Sequence, residues 1–331
     1  MPPSPLPAGK LPGRLLADLL AGVPARDPSV RLGPALGEDA AVIDVEAGAL
    51  VAATDPITLT ASDAGRFAVL INANDVAVCG VAPRWFLATV LLPADTTEDD
   101  VRALVAQLTA TLDEVGAVLV GGHTEVTDAV VAPVVVGQML GLAPDGEVVT
   151  SSGASAGQLL VQVGPAPVEG AAVLAAEAGG QLTHLDAEVR RAAAGAVDDP
   201  GISVVAAALR AADLGATAMH DPTEGGLAAG LHELASASQV GLDVDGHAVA
   251  WYAPGVAVCR ALDCDPWATL ASGCVLATFP AASAEAAAAT LTSEGHSAAV
   301  IGRVVTETGV RVDGDPLAWP ARDELARRAD G

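Results

Sequence analysis

A chain of 331 residues, 51% of them hydrophobic, can bury one large core or two medium ones, and two domains is the better expectation. Its 16 Lys plus Arg against 41 Asp plus Glu leave a net charge of −25, which argues against nucleic acid or anionic membrane as partners but not against a phosphorylated ligand screened by divalent metal. With only 2% aromatic residues the core is built of small aliphatic side chains, which suits interleaved helices and sheets better than a base-stacking platform.

Cys79, Cys259, Cys264 and Cys274 form no CxxC pair and no regular spacing, so neither a zinc site nor a disulfide framework is expected, and free thiols fit a reducing compartment. The opening MPPSPLPAGKLPGRLLADLL has no basic start leading into a continuous apolar run. No stretch approaches the ~20 apolar residues of a membrane helix. A soluble, cytoplasmic protein without a membrane partner is expected.

In chain order, the first eight residues hold four prolines, so 1–10 reads as a flexible arm ending at Gly9-Lys10. Leu11 to Val23 reads as a short amphipathic helix. Ala40 to Val45 and Leu50 to Ala53 are β-like runs; Asp39 opens the first and Asp55 closes the second, at strand ends where sites collect. Arg66 to Gly80 is an apolar segment of helical length, and Arg84 to Leu92 is a strand. Thr97 begins the clearest helix, with Glu98, Asp99 and Asp100 at the positive end of its dipole. Val101, Leu104, Val105, Leu108, Leu112 and Val115 form its stripe, and Gly116 ends it. Val118 to Val120 is a brief buried strand leading to Gly121-Gly122-His123-Thr124-Glu125, and Ala132 to Leu142 is a further strand.

Thr150 to Gly157 reads as a hinge and places the boundary between domains at 11–153 and 154–315. Beyond it, Gln158 to Val163, Gly273 to Phe279 and Ala298 to Val305 read as strands. Helices are expected near Glu169 to Ala178, Asp186 to Ala196 and Ser203 to Ala212, then at Leu227 to Ala237, Ala253 to Leu262 and Ala282 to Glu294. The segment 316–331 is charged and reads as a peripheral tail. Alternating helices and strands in both halves give a two-domain α/β or α+β protein.

The chemistry centres on Arg66 to Gly80, where Asn72, Asn74 and Asp75 interrupt an apolar helix. If Asp75 is buried, a hard cation is its most economical partner, with Asn74 and Asn72 as neutral helpers; otherwise it caps a loop or faces solvent. Asp39, Asp55, Asp75, Asp221 and Glu224 each sit at the edge of an apolar run beside Gly, Pro, Thr or Asn. Such acids, converging without lysine, imply a polyphosphate held through magnesium, unless each is simply a solvated loop carboxylate. Gly121-Gly122 and Gly225-Gly226 either bring backbone N–H groups to an anion or form turns; no GxxxxGK[ST] or early GxGxxG accompanies them. His123 reads as a base, phosphate donor or softer ligand, or as a loop histidine bonded to backbone. Lys10, the only lysine, either folds over the ligand or is solvated, and His220 beside Asp221 has the smaller claim to chemistry.

These residues, in this order, resemble the superfamily of aminoimidazole ribonucleotide (AIR) synthetase, thiamin-monophosphate kinase, selenophosphate synthetase and the hydrogenase-maturation protein HypE. The matching blocks are GEDAAVI (37–43), ATDPIT (53–58), NANDVAVCGVAPRW (72–85), VGGHTEV (120–126), VTSSGASAGQLLVQVG (149–164), DPTEGGLAAGLHELA (221–235) and ASGCVLATF (271–279), most similar to the HypE-like branch. The resemblance implies an N-terminal α/β domain that pairs with its twin in a shared barrel, a C-terminal α+β domain, and ATP with Mg²⁺ in a cleft between them. By position it makes Asp39, Asp55 and Asp75 metal-side acids, gives the phosphates to Gly121 and Gly122, and completes the site with Asp221 and Glu224.

Three departures accompany it. His123 stands where relatives usually have an aspartate after the glycine pair; the chain ends LARRADG, with Cys274 its last cysteine, where HypE ends in a cysteine; and the Cys/Lys motif of selenophosphate synthetase is absent. The expectation is therefore an ATP- and Mg²⁺-dependent homodimeric enzyme that passes the γ-phosphoryl group to an oxygen of a small acceptor. Its metal acids are Asp39, Asp55, Asp75 and Asp221, and its nucleotide contacts Asn74, Gly121, Gly122, Thr124, Gly225 and Gly226. Lys10, His123, Asp221 and Glu224 are its catalytic candidates. A nucleotide-binding regulatory or assembly protein that has lost turnover is the alternative.

Overall fold

The computed structural model describes residues 30–32, 36–58 and 63–329; Lys10 and the helix expected at Leu11 to Val23 lie outside them. The chain divides into two compact units, one running Asp39–Val148 together with strand β1 (Val30–Leu32), the other running from Val149 onward together with residues 36–38.

In the first unit, β1, β2 (Ala41–Val45), β3 (Gly48–Ile57), β4 (Trp85–Leu92), β5 (Val118–Val126) and β6 (Val134–Ala143) form a sheet in the order β1-β2-β3-β6-β4-β5. Only β4 and β5 run parallel, and α2 (Glu98–Val115) supplies the crossover that a parallel pair requires. Helix α1 (Ala64–Ala77) is apolar on nearly every side and is buried accordingly, against β3, β6 and α2. Glycines on β6 admit it: a Cβ on Gly137 would lie 2.4 Å from the Asn72 amide nitrogen, and one on Gly141 would lie 2.8 Å from Val76 Cγ1. Asn72 then ties helix to sheet. Its Oδ1 accepts the Asp55 N–H at 2.9 Å and its Nδ2 donates to the Ala68 carbonyl at 2.8 Å.

Helix α2 forms as its sequence dictates. The Thr97 hydroxyl accepts the Asp100 N–H, the Asp100 carboxylate accepts the Thr97 N–H, and Gly116 ends the helix in the left-handed region at φ 73°. Leu104, Leu108 and Leu112 are buried while Val105 is exposed, so the sheet covers only part of the apolar stripe. The opposite sheet face carries Leu87 and Leu91 of β4 and Val136, Leu140 and Leu142 of β6, all half-buried.

In the second unit, β7 (Leu159–Val163), β8 (Ala218–His220), β9 (Gly241–Val244), β10 (Val275–Phe279), β11 (Ala298–Val305), β12 (Gly309–Val312) and β13 (Asp315–Pro316) form a sheet in the order β13-β12-β9-β11-β7-β10-β8. All of β10 is buried, so both sheet faces are covered there. The helices are α3 (Glu169–Glu177), α4 (Ala187–Ala194), α5 (Val205–Asp213), α6 (Gly226–Ser238), α7 (Ala253–Ala261), α8 (Ala284–Ser293) and α9 (Glu324–Ala329). Leu227, Leu231 and Leu234 of α6 join Leu160, Leu276 and Ile301 in the main core, and Leu174, Val258 and Leu262 centre a second one.

The mixed α/β class is as expected, with local corrections. The strand at Val118 is neither brief nor buried: β5 runs to Val126 and is exposed throughout, because it pairs on one side only. Asp55 does not close its strand, since β6 continues to pair with β3 as far as Ile57. The segment after Pro316 is not peripheral: α9 sends Leu325 into the second core. Replacing Asn72 with Ala removes the acceptor of the part-buried Asp55 N–H together with packed volume, so urea unfolding should show a loss of about 2–4 kcal/mol. A loss under about 0.5 kcal/mol, the size of a neutral surface change, would mean that the tie is inconsequential.

Candidate functional site

In the first unit Asp39, half-buried, stands two residues before β2. Asp55 has the parity of Ala49, Val51 and Ala53, so it lies on the face of β3 that α1 covers. Asp75 stands three residues beyond Asn72, one turn along the same side of α1, with 6% of its surface exposed; Asn74 is fully buried. Asn72 is not a ligand helper, because both ends of its amide are engaged by backbone. Among the described residues no three His, Cys, Asp or Glu side chains converge closely enough to hold a metal by themselves. Asp55 and Asp75 offer the oxygen donors that magnesium takes, one or two protein carboxylates with phosphate oxygens and water completing the shell.

Gly121, Gly122, His123 and Thr124 lie inside β5 and, with β4 and α2, wall a cavity of about 170 Å³. The two glycines are there for different reasons. At Gly122 (φ 150°) a Cβ would lie 2.1 Å from the Ala88 carbonyl oxygen, so strand packing alone requires glycine. At Gly121 the only heavy atom of the described residues near a Cβ is Leu87 Cδ2, at 3.8 Å, so packing among those residues does not require glycine, and close approach of a ligand is a reason that remains. His123 Nε2 and Glu125 Oε2 are 3.2 Å apart on the exposed strand, as the two-residue period allows.

In the second unit β8 delivers Asp221, which is buried beside Cys274. His220 is structural: its Nε2 lies 2.9 Å from Glu233 Oε2, both buried, tying β8 to α6. Gly225 (φ 83°) and Gly226 (φ 65°) need glycine by conformation, and a Cβ on Gly226 would also lie 2.5 Å from the Trp267 carbonyl. Their N–H groups, the expected phosphate donors, are engaged within the protein. Gly226 donates to the Thr223 carbonyl at 3.0 Å, and Gly225 donates to Asp323 Oδ2 at 2.8 Å.

Asp323 escapes a reading of the sequence because it sits in what looks like a charged tail. The one signal is an acid at the start of the short helical run DELARR. Glu169 on α3 escapes it too. Burial pushes the Glu169 carboxyl up to about 7, with the negative charges of Asp323 and Glu224 adding to the rise and the Ser272 hydroxyl pulling the other way. Burial likewise raises Asp323 to about 6, against the N–H bonds from Leu325 and Gly225. The four cysteines are buried and form no disulfide; burial pushes Cys259 up to about 12 and Cys274 higher still, so neither offers a thiolate.

A carboxyl that binds its proton more tightly folded than unfolded favours the fold at low pH and loses that contribution as pH rises to its folded value. Stability should therefore fall between about pH 4.5 and 7 through Glu169. Glu169→Gln should remove roughly 3 kcal/mol of that fall, measured by chemical denaturation at pH 5 and pH 8. Identical pH dependence in the two proteins would refute the assignment.

Residues 37–143 match the family model described as AIR synthase related protein, N-terminal domain, and residues 155–315 match AIR synthase related protein, C-terminal domain. The chain is 28% identical over 281 residues to the carbamoyl dehydratase HypE of Cupriavidus necator, covering 82% of this chain and 78% of that one. It is 33% identical over 265 residues to the thiamine-monophosphate kinase of Mycobacterium tuberculosis, covering 75% and 74%. Its fold is similar to that of a crystal structure of the hydrogenase maturation protein HypE in complex with ATP, with a TM-score of 0.72 at 24% identity over 95% of this chain and 96% of that one. Matched in order by both domain models, the chain belongs to the AIR synthase related family and has its two-domain mixed α/β fold.

Proposed function

We propose that the protein is an ATP- and magnesium-dependent enzyme that transfers the γ-phosphoryl group to an oxygen of a small acceptor, either as final product or to activate an amide-like oxygen for loss. The observation that carries this reading is the buried Asn74 and Asp75 in an otherwise apolar α1, beside an Asp55 whose backbone is pinned by Asn72. The relatives named above include a kinase and an ATP-bound HypE, which supports it. In this reading Asp39, Asp55 and Asp75 hold the metal, which when bound neutralises the triphosphate, while Gly121, Thr124 and Asn74 take the nucleotide. In the second unit Asp221 serves metal or acceptor, Glu224 orients the acceptor, and the Gly225-Gly226 turn belongs to the nucleotide site. His123 and Lys10 supply remaining polar contacts. Phosphoryl transfer asks chiefly for such positioning and charge neutralisation. The buried, protonated thiols of Cys259 and Cys274 favour oxygen over sulfur as the receiving atom.

The reading includes a homodimer. The half-buried apolar face of the first sheet and the exposed Val118, Leu119 and Val120 at its β5 edge fit a second copy of the same surface.

Calorimetry should detect MgATP binding, Asp75→Asn should lower turnover on the order of 100-fold, and Gly121→Ala should weaken MgATP about tenfold while changing stability by less than about 0.5 kcal/mol. No heat from the wild-type protein would refute the function; tight binding without turnover on any acceptor would point to a nucleotide-binding regulator instead. Light scattering should give a dimer for the wild-type chain and a monomer for Leu140→Glu, and a monomeric wild type would remove the dimer.

A further inference from the structure

We propose that Asp323 is a positioning residue: reaching from the C-terminal segment to the N-terminus of α6, it fixes the turn at 221–226 through the N–H of Gly225. The proposal rests on the assignment of that turn to the nucleotide site. Asp323 has 5% of its surface exposed, and both its carboxylate oxygens are committed. Oδ2 accepts the Gly225 N–H and Oδ1 accepts the Leu325 N–H, each at 2.8 Å. A charged acceptor on a backbone N–H at the positive end of a helix is among the stronger single hydrogen bonds a fold can make.

The turn needs an outside partner. Gly225 is the residue before α6, has no side chain, and gives the helix no side-chain cap of its own. Two glycines in succession also admit many conformations, and among the described residues a Cβ on Gly225 would meet only the Ala229 methyl group, at 2.7 Å. The carboxylate that selects one conformation comes from 98 residues away.

The segment carrying it is anchored on both sides. Before it, the Leu317 N–H donates to the Val310 carbonyl at 2.9 Å, His232 Nε2 on α6 lies 3.0 Å from the Leu317 carbonyl, and Trp319 stacks on the His232 ring at 5.0 Å between centroids. After it, Leu325 enters the second core, and Arg327 and Arg328 donate to the carbonyls of Asp263 and Leu262 at 2.6 and 2.9 Å. Asp323 is thus presented to Gly225 by a segment fastened along α6 and against α7, and holding Gly225 sets the approach of Glu224 and Asp221 immediately before it.

The test compares amide hydrogen exchange and MgATP calorimetry on the full chain for wild type, Asp323→Ala, Asp323→Asn and Leu325→Ala. Asp323→Ala should speed exchange at Gly225 and weaken MgATP, each about tenfold. Asp323→Asn, which keeps one acceptor for two N–H groups, should fall between. Leu325→Ala should lower the melting temperature while leaving Gly225 exchange and MgATP affinity near wild type. Unchanged Gly225 exchange in Asp323→Ala, faster exchange with unchanged or tighter MgATP, or the same effects in Leu325→Ala would each overturn the proposal. A wild-type protein that binds no MgATP refutes the functional reading alone, and the exchange comparison then decides by itself whether Asp323 holds the turn.

Discussion

The first unit depends on the close approach of α1 to β6, which leaves no room for side chains at Gly137 and Gly141. At that separation the helix must be apolar nearly all round, and any polar group it carries is taken out of water with it. Asn72 offsets this penalty with backbone partners on both the helix and β3. Because its partner on β3 is the backbone of Asp55, the contact that holds helix to sheet also sets one acid opposite the helix that bears Asp75. Stability and the placement of the acids therefore come from one contact, and a change made for one is felt by the other.

How much of this can be read from the chain alone depends on how local each cause is. Helix α2 is legible end to end, because Thr97, Asp100, the leucine stripe and Gly116 act within a few residues of one another. The polar interruption of α1 is legible as an anomaly of composition, though the engagement of Asn72 is not, since its partner lies on another element. The exposure of β5 follows from its place at the sheet edge, which is a property of strand order and leaves no mark on Val118 to Val120 themselves. Strands β9 and β12 are short and carry Asp243 and Arg311, which break the apolar runs that mark a strand. Asp323 is the least legible of all, because its role is defined by one hydrogen bond to a glycine far away in sequence.

The glycine pairs show why a motif is an incomplete argument. Gly122 answers a neighbouring carbonyl, Gly226 answers both its own φ and the Trp267 carbonyl, and Gly225 answers its φ. Gly121 meets no such demand from the described residues, which fits the nucleotide contact given to it in the function proposed. Four glycines that look alike in sequence divide, once their surroundings are known, into three that the backbone requires and one that it does not.

Burying acid in a chain with 41 acidic and 16 basic residues leaves few side-chain cations to compensate it, so other means are needed. The second unit uses the proton: burial and nearby negative charge raise the affinity of Glu169 and Asp323 for it, and the cost of keeping Glu169 protonated rises with pH. It also uses backbone N–H groups, which satisfy both oxygens of Asp323. The first unit, in the function proposed, uses a hard cation, since two carboxylates beside a buried amide are too few to close a metal shell and leave positions for phosphate oxygens. A site of that kind is incomplete without its ligand, and in the function proposed that incompleteness lets an acidic protein select a nucleotide that arrives with its metal.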